Sequence, residues 1–305
     1  FERVEVGLDG GLVAGGVSLV KFTESNQRAE SLEGLEVPVE SVAAAMGNDI
    51  DMKWVNNNHA MEGIAHDVEG EGHSDDWGIR WEKRGAFNQI VAHPLVEDDT
   101  ITDYRFPYDQ IDDLVALLAP VVNGHHDRFI GCDVSPCAFE MHNRLRGMEA
   151  SLIDLATGHE GSLHLLGECA RFAAEIAQAA LERYDLDMLW TGDDVASQAA
   201  LMMSPQMWRR HIKPHLRRVV DVGHRYGVLV AYHCCGAMRS IIPDLIEIGV
   251  QALNPIQPQA RGMNPARLKA DFGRDPVFIG GVDTQDLLPN AAAPEQRQHT
   301  ENRVA

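Results

Sequence analysis

The chain has 305 residues, 45% hydrophobic and 24% charged, with a net charge of −20. That is the composition of a globular protein with a large core to bury, and the acidic excess argues against nucleic acid or an anionic membrane surface as partner while leaving small anions open. The five cysteines (Cys132, Cys137, Cys169, Cys234 and Cys235) form no disulfide framework, and neither a signal peptide nor a bilayer-length apolar stretch is visible, so the thiols read as free or metal-bound in a reducing cytoplasm.

Taken in order, residues 3–8 alternate like a strand and Asp9-Gly10-Gly11 follows as a turn. The start at Phe1, without an initiator Met, and the helical character of the last residues suggest a trimmed sequence. Residues 42–46 read as a short helix leading to Ile50-Asp51-Met52, and the polar, Gly-rich stretch 62–76 reads as surface loop. Trp77 to Trp81 and Asn88 to Leu95, joined through Lys83-Arg84-Gly85, predict a β-hairpin inserted at 75–95 whose Trp residues cover the core or line a pocket, the former being the more ordinary role. Residues 108–118 predict a helix.

From residue 127 onward one unit repeats: strand, polar strand end, helix. Strands are expected at 127–134, 185–190, 228–233, 251–254 and 277–281. Between them fall helices at 137–145, 148–155, 159–184, 240–248 and 265–272. A further helix starts at Ser204-Pro205, a good N-cap and first-turn pair, and runs to Tyr226, where Gly227 stops it. Another is expected after Pro294. This alternation demands a mainly parallel sheet. Length and order fit a single α/β domain over 1–305, a (β/α)8 TIM barrel with the hairpin inserted. Six strands are legible. One more is expected before residue 75 and the last beyond Ala305, which leaves the barrel short of its final β/α unit in this sequence.

In such a barrel the chemistry sits at the C-terminal strand ends. The residues there are Asp133, then Asp193, Asp194 and Gln198, then His233 and Cys235, then Asn254 and Gln257, then Asp283 and Gln285. His233 and Cys235 are two apart at a strand end, so they share a face while Cys234 points away. Imidazole plus thiolate makes a plausible pair of zinc ligands, although two ligands are not a site and both residues also suit a buried strand end. Asp194 and Asp283 suit helix caps as well as catalysis. The basic run 209–218 reads as a solvated helix face, or a receiver for a phosphate-bearing cofactor or partner domain. No Gly-x-Gly-x-x-Gly follows a strand, and neither a Walker loop nor a Gly-x-Ser-x-Gly elbow is present.

Several motifs in collinear order carry a resemblance: Leu145-Arg146-Gly147-Met148-Glu149, Gly192-Asp193-Asp194 with Gln198, Met203-Ser204-Pro205, His233-Cys234-Cys235-Gly236, Leu253-Asn254-Pro255-Ile256-Gln257 and Gly280-Gly281-Val282-Asp283-Thr284-Gln285. With them, residues 140–289 resemble the uroporphyrinogen decarboxylase superfamily, and more closely its corrinoid-dependent methyltransferase branch of the coenzyme M and O-demethylase type. The resemblance implies a (β/α)8 barrel with its active site in the mouth. It implies zinc on His233 and Cys235, with a third ligand from a distant Cys beyond Ala305 or from Asp194 or Asp283. It makes Asp194 and Asp283 catalytic, and gives substrate binding to Asp193, Gln198, Asn254, Gln257 and Arg146. The implied partners are a corrinoid protein and a small-molecule methyl donor or thiol acceptor, and family members often form homodimers. Two alternatives accompany this reading. One is a metal-free uroporphyrinogen decarboxylase of porphyrin biosynthesis, although the N-terminal arginine-rich motif of those enzymes is missing and only Arg144, Arg146 and Arg239 stand near to grip carboxylates. The other is a non-catalytic ligand-binding barrel.

Overall fold

The structure, a computed structural model, describes residues 50–56, 66, 68–85, 87–97, 101–124 and 128–290. The strand expected at 3–8, the helix at 42–46 and the helix after Pro294 lie outside the described residues.

In chain order the strands are β1 (Ile50–Trp54), β2 (Gly72–Ser74), β3 (Arg80–Arg84), β4 (Phe87–Ala92), β5 (Phe129–Asp133), β6 (Met188–Gly192), β7 (Leu229–His233), β8 (Ala252–Ile256) and β9 (Val277–Gly280). The helices are α1 (Ile111–Ala116), α2 (Ala119–Gly124), α3 (Phe139–Arg146), α4 (Met148–Thr157), α5 (Glu160–Arg183), α6 (Pro205–His211), α7 (Lys213–Tyr226), α8 (Ile242–Glu247), α9 (Pro265–Phe272) and α10 (Leu287–Asn290).

Six strands form one parallel sheet in the order β1-β5-β6-β7-β8-β9. The order never reverses. Right-handed crossovers that all step the same way place every connecting helix on the same face. The other face must then be buried by the strands themselves. β6 shows the consequence, because all five of its residues are buried. Leu189 joins the helix-facing core, whereas Met188 and Trp190 join a separate apolar cluster with Met52, Ala231, Ala252 and Ile279. Those six come from β1, β6, β7, β8 and β9, so one interior is shared from the first strand to the last. β5 contributes Gly131 on this side, where a Cβ would stand 3.2 Å from Met52. Side chains filling the inside of a parallel sheet in layers are the barrel pattern. Among the described residues β1 and β9 are not paired, so the six strands make an open part of the expected barrel.

The inserted sheet has three strands, in the order β2-β3-β4. The stretch 62–76, expected as loop, contains β2, a short polar edge strand without the alternation that would reveal it. The strand expected from Trp77 starts only at Arg80, because Asp75 binds the chain into a turn. Its Oδ1 accepts from Trp77 N at 3.0 Å and Ile79 N at 2.9 Å, and its Oδ2 from Trp81 Nε1 at 2.8 Å. Trp77 and Trp81 are buried, as expected of residues that cover the core.

The helix expected from Ser204 to Tyr226 is two helices. Ser204 does cap the first, accepting from Met207 N at 3.1 Å, and Gly227 ends the second with φ +74°. Between them Pro214 has no amide to donate and its ring opposes a continuous helix, so the chain restarts at Lys213. The basic run carried here is largely paired: Arg209 and Lys213 both reach Asp244 on α8, and Lys213 also reaches Glu247. Among the described residues no helix is long and apolar enough to cross a membrane.

Candidate metal centre

The site begins with the parallel pairing of β6 and β7, which sets Gly192 opposite His233. A Cβ on Gly192 would stand 2.7 Å from both the Cβ and the carbonyl oxygen of His233, so only glycine lets the two strand ends approach this closely. Sequence reasoning gave Gly192 no role, although it opens the Gly-Asp-Asp motif.

Beyond Gly192 the two aspartates part. The carboxylate of Asp193 is buried and accepts from Ala138 N at 3.1 Å and Glu140 N at 3.0 Å, at the start of α3. Burial pushes its pKa up to about 7 against the pull of those amides. The oxygens of Asp193, expected from the sequence to bind substrate, are thus engaged by the backbone of a helix start. Asp194 points to the mouth. Its Oδ1 accepts from Cys235 N at 2.8 Å and lies 3.5 Å from His233 Nε2. Cys235 Sγ lies 3.6 Å from the same Nε2. Cys234 is buried on the opposite side, as the period-two alternation requires.

Donor atoms of Asp194, His233 and Cys235 all lie within 4.8 Å of one another. The two distances from His233 Nε2, 3.6 Å to Cys235 Sγ and 3.5 Å to Asp194 Oδ1, match those of a zinc tetrahedron. With Zn–N and Zn–O near 2.1 Å and Zn–S near 2.3 Å, tetrahedral angles put N and S about 3.6 Å apart and N and O about 3.4 Å apart. The set supplies one nitrogen, one sulfur and one oxygen, chemistry that suits zinc with a fourth position left open. The side chains are 17% exposed at His233 and 39% at Asp194, so the cluster can be reached from solvent.

The other expected residues fall into two groups. Three of them brace the cluster. Asn254 accepts at Oδ1 from His233 Nδ1 at 2.8 Å. Gln257 Oε1 accepts from Gly236 N at 2.9 Å and from Gln198 Nε2 at 2.7 Å, which clamps the turn after Cys235. Gly236 has φ +86°, and a Cβ there would meet Ser197 O at 2.4 Å.

The second group is engaged elsewhere. Asp283 is buried and caps its own turn, accepting from Gln285 N at 2.9 Å and Asp286 N at 3.0 Å. Arg146, expected from the sequence to bind substrate, is held within the protein. It is buried, pairs with Asp154 at 2.9 Å, and donates to Leu95 O at 2.9 Å and Val96 O at 2.5 Å. Arg144 pairs with Glu140 and lies over Trp81, while Arg239 pairs with Asp271 and lies over Phe272.

Residues 130–305 match the family model of uroporphyrinogen decarboxylase (URO-D). The chain belongs to the uroporphyrinogen decarboxylase family. Among solved structures it is similar to a methyltransferase from Methanosarcina mazei, with a TM-score of 0.60 and 14% sequence identity. That likeness covers 97% of this chain and 94% of the other, and at this identity it speaks for the fold. It agrees with a URO-D chain built on a TIM-like sheet. No curated protein sequence matches the chain.

Proposed function

We propose that this URO-D family chain is a zinc-dependent methyltransferase of the cytoplasm. It would move a methyl group between a small-molecule methyl donor or thiol acceptor and a corrinoid carried by a separate protein. The observation that carries the reading is the gathering of Asp194, His233 and Cys235 at adjacent strand ends, with their donor atoms within 4.8 Å of one another.

Zinc bound there would supply Lewis acidity, either lowering the pKa of an acceptor thiol or polarising the oxygen of a methoxy donor. His233 and Cys235 would be ligands. Asp194 would take the place of the third, with a side chain more exposed than that of His233. The Gln198–Gln257–Gly236 clamp keeps Cys235 on the mouth side. A donor set that includes a thiolate also suits the reducing compartment that free cysteines indicate.

The metal-free decarboxylase reading needs guanidinium groups to grip several substrate carboxylates. Arg144, Arg146 and Arg239 each hold a carboxylate of the protein itself, which favours methyl transfer. The test is an absorbance assay of zinc-loaded protein with methylcobalamin and a series of small thiols. Loss of the methyl group from cobalamin with wild type, and its abolition in His233→Ala, is the expected outcome. Formation of coproporphyrinogen from uroporphyrinogen, with no methyl transfer to any thiol, would overturn the proposal.

A further inference from the structure

The imidazole of His233 has two nitrogens, and only a nitrogen free of its proton can donate to a metal. Which one is free depends on what the other one meets. In the β7–β8 register His233 lies opposite Asn254, a residue only 3% exposed. Its amide oxygen lies 2.8 Å from Nδ1. A carbonyl oxygen can only accept, so Nδ1 carries the hydrogen. Nε2 then keeps its lone pair, and Nε2 is the nitrogen 3.5 Å from Asp194 Oδ1 and 3.6 Å from Cys235 Sγ. The same residue fixes the chain after His233, because the backbone oxygen of Asn254 accepts from Cys234 N at 2.8 Å.

We infer that Asn254 is a positioning residue of the metal centre: it holds His233 as the Nδ1–H tautomer, with Nε2 turned to the other two donors. This assigns Asn254 a task other than the substrate binding expected from the sequence, and it rests on the metal reading of the triad. Such outer partners of ligating histidines fix both tautomer and ring plane, and their loss typically weakens metal affinity about 10–100-fold.

The test uses two variants and two readouts. Asn254→Leu keeps much of the volume and removes the acceptor. Asn254→Asp keeps an acceptor at the same reach. Zinc affinity is measured by competition with a chromophoric chelator. The tautomer is read from long-range proton–nitrogen NMR correlations of the zinc-free protein, with the His233 signals identified by their absence in His233→Ala. The expected results are a protonated Nδ1 and a bare Nε2 in the wild type, with zinc affinity about 10–100-fold lower in Asn254→Leu and within a few-fold of wild type in Asn254→Asp. A wild-type His233 protonated at Nε2 overturns the inference, as does zinc binding in Asn254→Leu as tight as in the wild type. Should the wild type bind no zinc, the metal reading fails on that result alone, while the tautomer still decides what Asn254 does.

Discussion

Replacing Arg146 by Met separates a brace from a substrate-binding arginine. The guanidinium holds the Asp154 carboxylate at 2.9 Å and two backbone carbonyls, those of Leu95 and Val96. Both members of the ion pair are almost fully buried, with side chains 5% and 8% exposed. Removing one partner of a buried pair leaves an uncompensated charge and costs about 3–5 kcal/mol. At about 2 °C per kcal/mol for a chain of this size, the melting temperature falls by about 6–10 °C. Arg146→Met with Asp154→Leu replaces the pair by apolar groups of similar bulk and recovers most of that loss, apart from the two carbonyls left without a donor. Thermal unfolding of the single and double variants is the assay. A single variant that melts with the wild type but binds substrate more weakly would refute the brace and restore the role first expected of Arg146.

Other expectations follow from the same geometry. His142 on α3 is held at a pKa of about 4, chiefly by burial, with its Nε2 2.7 Å from Ser162 Oγ. Its folded pKa lies below the unfolded value, so its contribution is intact above about pH 6.5 and is lost as pH falls toward 4. Urea unfolding at pH 8 and pH 5 should show His142→Gln escaping about 2 kcal/mol of the acid loss that the wild type suffers, and parallel pH profiles would contradict this. Gly192→Ala places a methyl 2.7 Å from the Cβ of His233, so zinc affinity should fall more than about tenfold while the far-ultraviolet helical signal is kept. Unchanged zinc binding in that variant would show that the approach of β6 to β7 is not what sets the site.

The sheet was legible because its strands are short buried runs punctuated by polar ends, and the helices because their caps are explicit at Ser204, Gly227 and Asn264. His-x-Cys was legible because strand alternation alone puts both side chains on one face. The third donor was narrowed to Asp194, Asp283 or a Cys beyond Ala305, and no local pattern chose among them. Asp193 and Asp194 are adjacent and chemically identical, and what separates them is the start of α3, some 55 residues earlier in the chain. The partners of Arg146 were hidden for the same reason: they are Asp154 and two carbonyls about 50 residues away. Asn254 was found as a strand-end residue, but its partner depends on the register between β7 and β8, which no local pattern fixes.

The central claim is that Asp194, His233 and Cys235 hold a metal ion. Zinc content by mass spectrometry, on protein purified without chelator, tests it most directly. Wild type is compared with Asp194→Ala and with the His233→Ala/Cys235→Ala double variant. The account predicts about one zinc per chain in the wild type, reduced in Asp194→Ala and absent from the double variant. Zinc missing from the wild type, or retained in full by the double variant, would contradict it.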